Sequence, residues 1–276
     1  MTMTKQPERE YVLGTDEAEF HRLSFQHRLW SETASHHWRL ARIAPGMTVL
    51  DLGCGPGFAT RDLAQLLGPV GRVVAIDASE RYIDFVRRTP APPGSAPIDA
   101  RVADAHDPGL APGSIDAAYS RWVFTFLPEP TRAVASVSRA LKPGGTFAIH
   151  DYHQWEQIFW GPISTTVETV RRAVLSSYKA AGADTRIGQK LPALMRDAGL
   201  IVRDIVPIQM IARPNDALWQ WPRTYFASFL PRLVAGGHMI EAEMRAVHSE
   251  WDALERDPAS FFYTPPQSVI IGVKPA

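Results

Sequence analysis

Apolar residues fall into two rhythms along this chain: short unbroken runs, and longer stretches in which they recur at three- and four-residue spacing. The runs at 48–52, 72–76, 98–103, 115–120, 146–150, 200–212 and 268–273 predict seven strands. Helical spacing fills the intervals at 59–67, 80–88, 130–141 and 191–198. Strand and helix therefore alternate, which predicts an open, mostly parallel α/β sheet built from right-handed βαβ units. Other helical stretches fall outside this alternation. Helices at about 16–30 and 31–42 precede the first strand, 154–180 reads as mostly helical, and 214–257 reads as a further helical insertion. On the first helix Phe20, Leu23 and Leu29 are spaced for a buried stripe, with Glu19, Arg22, Gln26 and His27 on the face that would meet a cleft. Gly68 and Gly71 stop one helix, 90–97 is a Pro- and Gly-rich loop, and Lys142-Pro143-Gly144-Gly145 is expected to stop the helix before the fifth strand.

Chemistry concentrates in the first unit, at 48–77. Asp51, then Gly53, Gly55 and Gly57 at alternate positions, and finally Asp77 all fall at or just past strand ends, where open parallel sheets bind their ligands. A dinucleotide fingerprint, Gly-x-Gly-x-x-Gly, fails in both registers, because its third glycine position holds Phe58 or Thr60. Asp51 beside the turn would also repel a pyrophosphate and attract a ligand carrying positive charge. S-adenosylmethionine suits that arrangement, with a sulfonium, an ammonium, no phosphate and a ribose diol. Asp77 stands twenty positions after Gly57, where a second strand delivers an acid to a ribose.

The run Asp51-Leu52-Gly53-Cys54-Gly55-Pro56-Gly57 resembles the first motif of the class I S-adenosylmethionine-dependent methyltransferases. Ser120-Arg121-Trp122-Val123-Phe124 and Leu141-Lys142-Pro143-Gly144-Gly145 are similar to later motifs of the small-molecule, ubiquinone/menaquinone-biosynthesis type, in the family's order. The resemblance implies a Rossmann-like, mostly parallel seven-stranded sheet with helical cap insertions, and S-adenosylmethionine as cofactor. It divides the chain into lid helices at 1–43, a cofactor-binding core at 44–152, a cap insertion at 153–185, core again at 186–213, a second cap at 214–258 and a final core strand at 259–276. By the same resemblance Tyr11 and Arg22 belong to a segment that folds over the methionine end, Ala78 follows the ribose acid Asp77, and Asp104 and Ala105 lie at the adenine. Arg121 is open to three roles: anchoring the cofactor carboxylate, anchoring a substrate acid, or pairing with a lid carboxylate.

Composition narrows the class of partner. Lys plus Arg equals Asp plus Glu, 29 against 29, so no global field draws the chain to nucleic acid or an anionic membrane. One cysteine, Cys54, excludes an intrachain disulfide and suggests a reducing compartment. With no apolar run long enough to span a bilayer, the expectation is a cytoplasmic protein with no metal site, acting on a small molecule; the oligomeric state is open.

Aromatic residues crowd both insertions, and Trp155, Phe159, Trp160, Trp219, Trp221, Tyr225 and Phe226 are the candidates to enclose a largely apolar or aromatic acceptor. A sulfonium methyl needs mainly placement and exclusion of water. Acceptors that must lose a proton need a base as well, and His150, His153 and His238 are the candidates. The acceptor atom, oxygen, nitrogen or carbon, stays open. Two other functions compete: the same fold holding the cofactor without transferring its methyl, and a nicotinamide-dependent oxidoreductase.

Overall fold

A computed structural model describes residues 17–276. Its first helix, α1 (Glu17–Leu40), is continuous where the sequence predicts two. The hydroxyl of Ser31, where a second helix was expected to begin, bonds back to the Arg28 carbonyl at 3.0 Å, and Ser35 bonds back to Ser31 at 2.9 Å. Both serines are thus satisfied within the helix. Trp30, Ala34 and Trp38 carry one buried stripe across the expected break. The first turns bury the polar face, Glu19, Arg22, Gln26 and His27, and leave Phe20, Leu23 and Leu29 half-buried, the reverse of an ordinary amphipathic helix.

The alternation then proceeds as β1 (Thr48–Leu52), α2 (Phe58–Leu67), β2 (Arg72–Asp77), α3 (Glu80–Arg88), β3 (Ile98–Val102), β4 (Ile115–Arg121) and α4 (Pro130–Ala140). Next comes β5 (Leu141–Tyr152), which starts earlier than expected. Leu141 pairs with Ile115 and Thr146 with Ala117, so residues 142–145 bulge out of the strand instead of ending a helix before it. Lys142 holds the bulge to Asp116 at 2.7 Å.

The rest of the chain is β6 (Phe159–Gly161), α5 (Val167–Ala180), α6 (Ile187–Asp197), β7 (Ile201–Ile208), β8 (Ile211–Ala212), α7 (Gln220–Ala235), α8 (Glu241–Arg256), β9 (Phe261–Tyr263) and β10 (Gln267–Val273). Residues 154–180 are an α-helix only from Val167, preceded by the single 3-10 turn Trp155–Gln157 and by β6. Residues 200–212 form two strands. The chain leaves the main sheet after Ile208, and Met210 exchanges bonds with Thr264, its N–H reaching the Thr264 hydroxyl and its carbonyl the Thr264 N–H, both at 2.9 Å.

The main sheet has seven strands in the order β3-β2-β1-β4-β5-β10-β7. β3, β2, β1, β4 and β5 are mutually parallel, and β10 runs antiparallel between β5 and β7. Alternate residues of the central strands serve opposite faces. Val49, Val73 and Ala75 pack with α1, α2 and α3 on one side, and Leu50, Val74 and Ile76 pack with α4 and α6 on the other. Beyond the strand ends lie α5, α7 and α8 with a small antiparallel sheet ordered β6-β9-β8. Their shared core is aromatic: Trp160, Trp219, Phe226, Trp251 and Phe262 are all 2% exposed or less, each worth about 1.5–3 kcal/mol of burial. Among the described residues no helix is long and apolar enough to cross a membrane.

Candidate active site

One large cleft, about 2170 Å³, opens outside the carboxyl ends of β1 to β5, walled by α1 on one side and by α5 and α7 on another. That exceeds the usual volume of a single small-ligand site, roughly 300–1,000 Å³, and leaves room for two ligands side by side.

Its floor is the glycine turn between β1 and α2. Gly53 and Gly57 are both left-handed, and a Cβ on either would collide with a neighbour: 2.3 Å from Val123 Cγ2 for Gly53 and 2.6 Å from Val86 Cγ2 for Gly57. Those two glycines let the turn pack. Gly55 differs, because a Cβ there would meet nothing within 4 Å. It lines the cleft with Gly53, and Gly57 does not.

Two acids flank the turn. Asp51 is 2% exposed, and its Oδ2 accepts the Thr60 hydroxyl at 2.6 Å. Burial pushes its pKa up to about 6, against the opposing pull of the Thr60 bond and of nearby Arg121. Asp77 accepts the Gly55 N–H at 2.8 Å and the Ser79 N–H at 2.9 Å on separate oxygens. Burial raises its pKa too, against those backbone bonds. Two desolvated carboxylates beside an open turn favour a ligand with positive charge and hydroxyl donors. S-adenosylmethionine fits that donor set.

Past β2 and β3, Ala78, Asp104 and Ala105 also line the cleft. The Asp104 carboxylate is turned onto its own loop, bonding His106 Nδ1 at 2.5 Å and the His106 N–H at 2.9 Å. Arg121, at the end of β4, reaches α1 through a histidine and not through a carboxylate: its Nη2 donates to His27 Nδ1 at 3.1 Å, and His27 Nε2 donates to Asp62 at 2.9 Å. The buried Nη1 of Arg121 has no partner among the described residues. Arg22 lines the cleft from α1, with Nε and Nη2 on Glu19 and Nη1 on Gln26 at 2.8 Å. Tyr11 lies outside the described residues.

The expected acceptor residues separate into two groups. Trp155, Trp221 and Tyr225 line the cleft. Trp160, Trp219 and Phe226 lie behind it in the aromatic core of the cap, packed on Trp251 at 5.8, 4.6 and 5.5 Å between ring centroids. Phe159 packs against Phe261 at a tilt in the small sheet, away from the cleft. In their place the fold brings Trp122, Phe126, Tyr152, Tyr178 and Phe262 to the cleft wall. Tyr178 and Tyr225 touch through their hydroxyls at 3.2 Å. Burial drives the Tyr178 pKa up to about 12 and raises those of Tyr152 and Tyr225 well above the usual phenol value, so all three stay protonated at neutral pH.

None of the three candidate bases lines the cleft. His150 is fully buried on β5 beneath the wall, and burial, reinforced by His37 and Arg121, pushes its pKa well down. The backbone of His153 is tied to the Pro266 carbonyl at 3.0 Å. His238 sits after α7, 2.9 Å from Ser176, on the outside of the cap. Each stands near a strand end or within a cap in sequence, but none of their side chains points toward the open volume.

Residues 50–149 match the family model described as a methyltransferase domain. The chain is 32% identical over 203 residues to an uncharacterized 37.1 kDa protein in transposon TN4556 of Streptomyces fradiae, covering 69% of this chain and 56% of that protein. It is 29% identical over 141 residues to the demethylmenaquinone methyltransferase of Desulfitobacterium hafniense, covering 49% of this chain and 56% of the relative. The chain thus spans about half the length of the curated relatives it matches. Among solved structures, a SAM-dependent methyltransferase from Aquifex aeolicus is similar with a TM-score of 0.52 and 21% identity, over 70% of this chain and 92% of that one. At that identity the likeness shows the fold.

Proposed function

Because the chain belongs to the S-adenosylmethionine-dependent methyltransferases, with residues 50–149 as its methyltransferase domain, we propose that it transfers a methyl group from that cofactor to a small, largely apolar or aromatic acceptor. The observation that carries the reading is the pair of desolvated carboxylates, Asp51 and Asp77, on either side of the open Gly55 turn, in a cleft with room for a second ligand.

S-adenosylmethionine supplies a methyl group already activated on a cationic sulfur. The chain's residues have the remaining tasks. Asp77 would accept the ribose hydroxyls, Asp51 would balance positive charge, and Ala78, Asp104 and Ala105 would border the adenine. The aromatic wall would shut out water and orient the acceptor toward the methyl group, and such placement supplies most of the acceleration in reactions of this kind. Tyr152, and whichever of Tyr178 and Tyr225 accepts in the bond between their hydroxyls, keep an O–H to offer the acceptor, and none of the three takes its proton.

By its name the demethylmenaquinone relative methylates a quinone precursor, which supports an acceptor with an apolar ring. Titration calorimetry with S-adenosylmethionine and with NAD separates this reading from a nicotinamide enzyme. Transfer of labelled methyl into a library of small aromatics separates it from a fold that only holds the cofactor. Binding of NAD in preference to S-adenosylmethionine would overturn the assignment.

A further inference from the structure

Trp122 is the residue of the cleft wall whose backbone is least expected. It follows Arg121 at the end of β4 with φ +56, the left-handed region that a bulky side chain rarely occupies. Such conformations persist where the surroundings over-determine them, and they cluster at functional sites. The surroundings of Trp122 do so. Its indole Nε1 donates to Gln267 Oε1 at 2.9 Å, and the same oxygen lies 2.7 Å from His150 Nε2. Because that oxygen only accepts, His150 must donate from Nε2, and a neutral imidazole is the form its burial favours. Trp30 closes on the indole edge-on, with centroids 5.3 Å apart. Two buried side chains from β5 and β10 therefore fix both the position and the tilt of this indole.

The tilt matters because two other residues of the wall share it. Tyr152 lies within 19° of the Trp122 plane and Trp221 within 21°, at centroid separations of 6.4 and 6.2 Å. All three line the cleft. Trp122 is also the one beside the glycine turn, since its neighbour Val123 is the residue a Cβ on Gly53 would strike. The Arg121 guanidinium lies over one face of the indole, 4.9 Å from its centroid, so an acceptor would stack on the other.

We infer that Trp122 is the specificity-determining residue of the acceptor site: a fixed indole, its plane nearly parallel to those of Tyr152 and Trp221, on which a flat conjugated ring stacks in preference to a saturated ring of the same size. Gln267 and His150 are its positioning residues. A chamber built only for apolar bulk has no need of parallel planes or of a clamped indole N–H. Offset stacking favours flat rings. The inference rests on the cofactor occupying the turn beside Gly55.

The test uses the full chain. S-adenosylhomocysteine is titrated first by calorimetry. The loaded protein is then titrated with 1-naphthol and with 1-decalol, its saturated counterpart. Naphthol is expected to bind roughly 3- to 10-fold tighter, the range of one aromatic contact. Trp122→Leu should abolish that preference, and Phe159→Leu, outside the cleft, should keep it. Trp122→Phe retains a flat ring without the N–H, and should lower the preference part way; it also serves if the leucine variant fails to fold, as judged by circular dichroism. Equal binding of the two probes, no binding of either, or an undiminished preference in Trp122→Leu and Trp122→Phe overturns the inference. Failure of S-adenosylhomocysteine to bind the wild-type chain overturns instead the reading on which it rests.

Discussion

Asp51 carries two opposing consequences of one burial. Its folded pKa of about 6 lies above the unfolded value, so the stability it contributes is fully present below about pH 4 and is lost as pH rises through 6. Asp151, fully buried and also raised to about 6 by burial against its bonds from Thr125 and Tyr152, adds in the same direction. The ligand-free protein should therefore melt at a higher temperature near pH 5 than near pH 7.5. Asp51→Asn should stabilise it at pH 7.5 by on the order of 1–3 kcal/mol, read by denaturant unfolding. Cofactor affinity runs the other way: it should fall as pH drops through 6, and in Asp51→Asn at any pH by roughly tenfold, because the neutral side chain no longer balances a cation. Calorimetry across pH 5–8 checks both signs. Asp77→Ala should weaken binding by roughly 1.5–3 kcal/mol, the range for bonds to a charged group, and unchanged affinity would remove Asp77 from the ribose. At this scale the sequence was legible where chemistry is local: the acids and glycines of 51–57 and Asp77 sit where their spacing puts them. It was illegible for His150, His153 and His238, because a histidine's position in sequence does not say which way its ring points.

The elements show the same division between local and distant causes. The sheet strands follow from apolar runs, and the cap does not, because its strands β6, β8 and β9 have two or three residues each and exist only by pairing with one another. Nor does the sequence reveal how the cap is tied together. Glu250 on α8 accepts bonds from Trp160 Nε1 at 3.0 Å, the Ser164 hydroxyl, the Thr165 N–H and the Thr166 hydroxyl, so one carboxylate joins α8, β6 and the start of α5. Burial alone would raise its pKa, but the bonds from Ser164, Thr165 and Thr166 outweigh that and hold it at about 2. Depressed below the unfolded value, it contributes stability above about pH 4.5 that is lost as pH falls toward 2. Glu250→Ala should destabilise the cap by about 2–3 kcal/mol, the cost of unpaired donors around a lost charge. Hydrogen exchange should show faster opening in α5 and α8 and unchanged protection in β1 and β4. Equal loss across both regions would mean that cap and sheet unfold as one unit.

At the scale of the whole molecule, the arrangement of charge and enclosure bears on what kind of acceptor reaches the methyl group. Formal charge sums to zero over 276 residues, and the cleft is bounded on separate sides by α1, α5 and α7. A polymer with a phosphate backbone is bound by neutralising charge, with affinity that falls steeply as salt rises, and it needs a groove open at both ends. Five arginines among the described residues line the cleft, and most are engaged by neighbours: Arg22 by Glu19 and Gln26, Arg121 by His27 and the Trp122 ring, Arg81 over the Phe20 ring and Arg88 by Asp84. The opposite wall is aromatic. Labelled methyl should therefore pass into small aromatic hydroxy compounds at a rate that changes less than about twofold between 50 and 200 mM salt, whereas neutralising several phosphates would cost orders of magnitude over that interval. Both are measured by scintillation counting after partition of product into organic solvent, with bulk tRNA and a lysate protein fraction offered in parallel. Faster incorporation into either polymer, or a steep fall in rate with salt, would place the acceptor outside the chamber formed by Trp155, Tyr178, Trp221 and Tyr225.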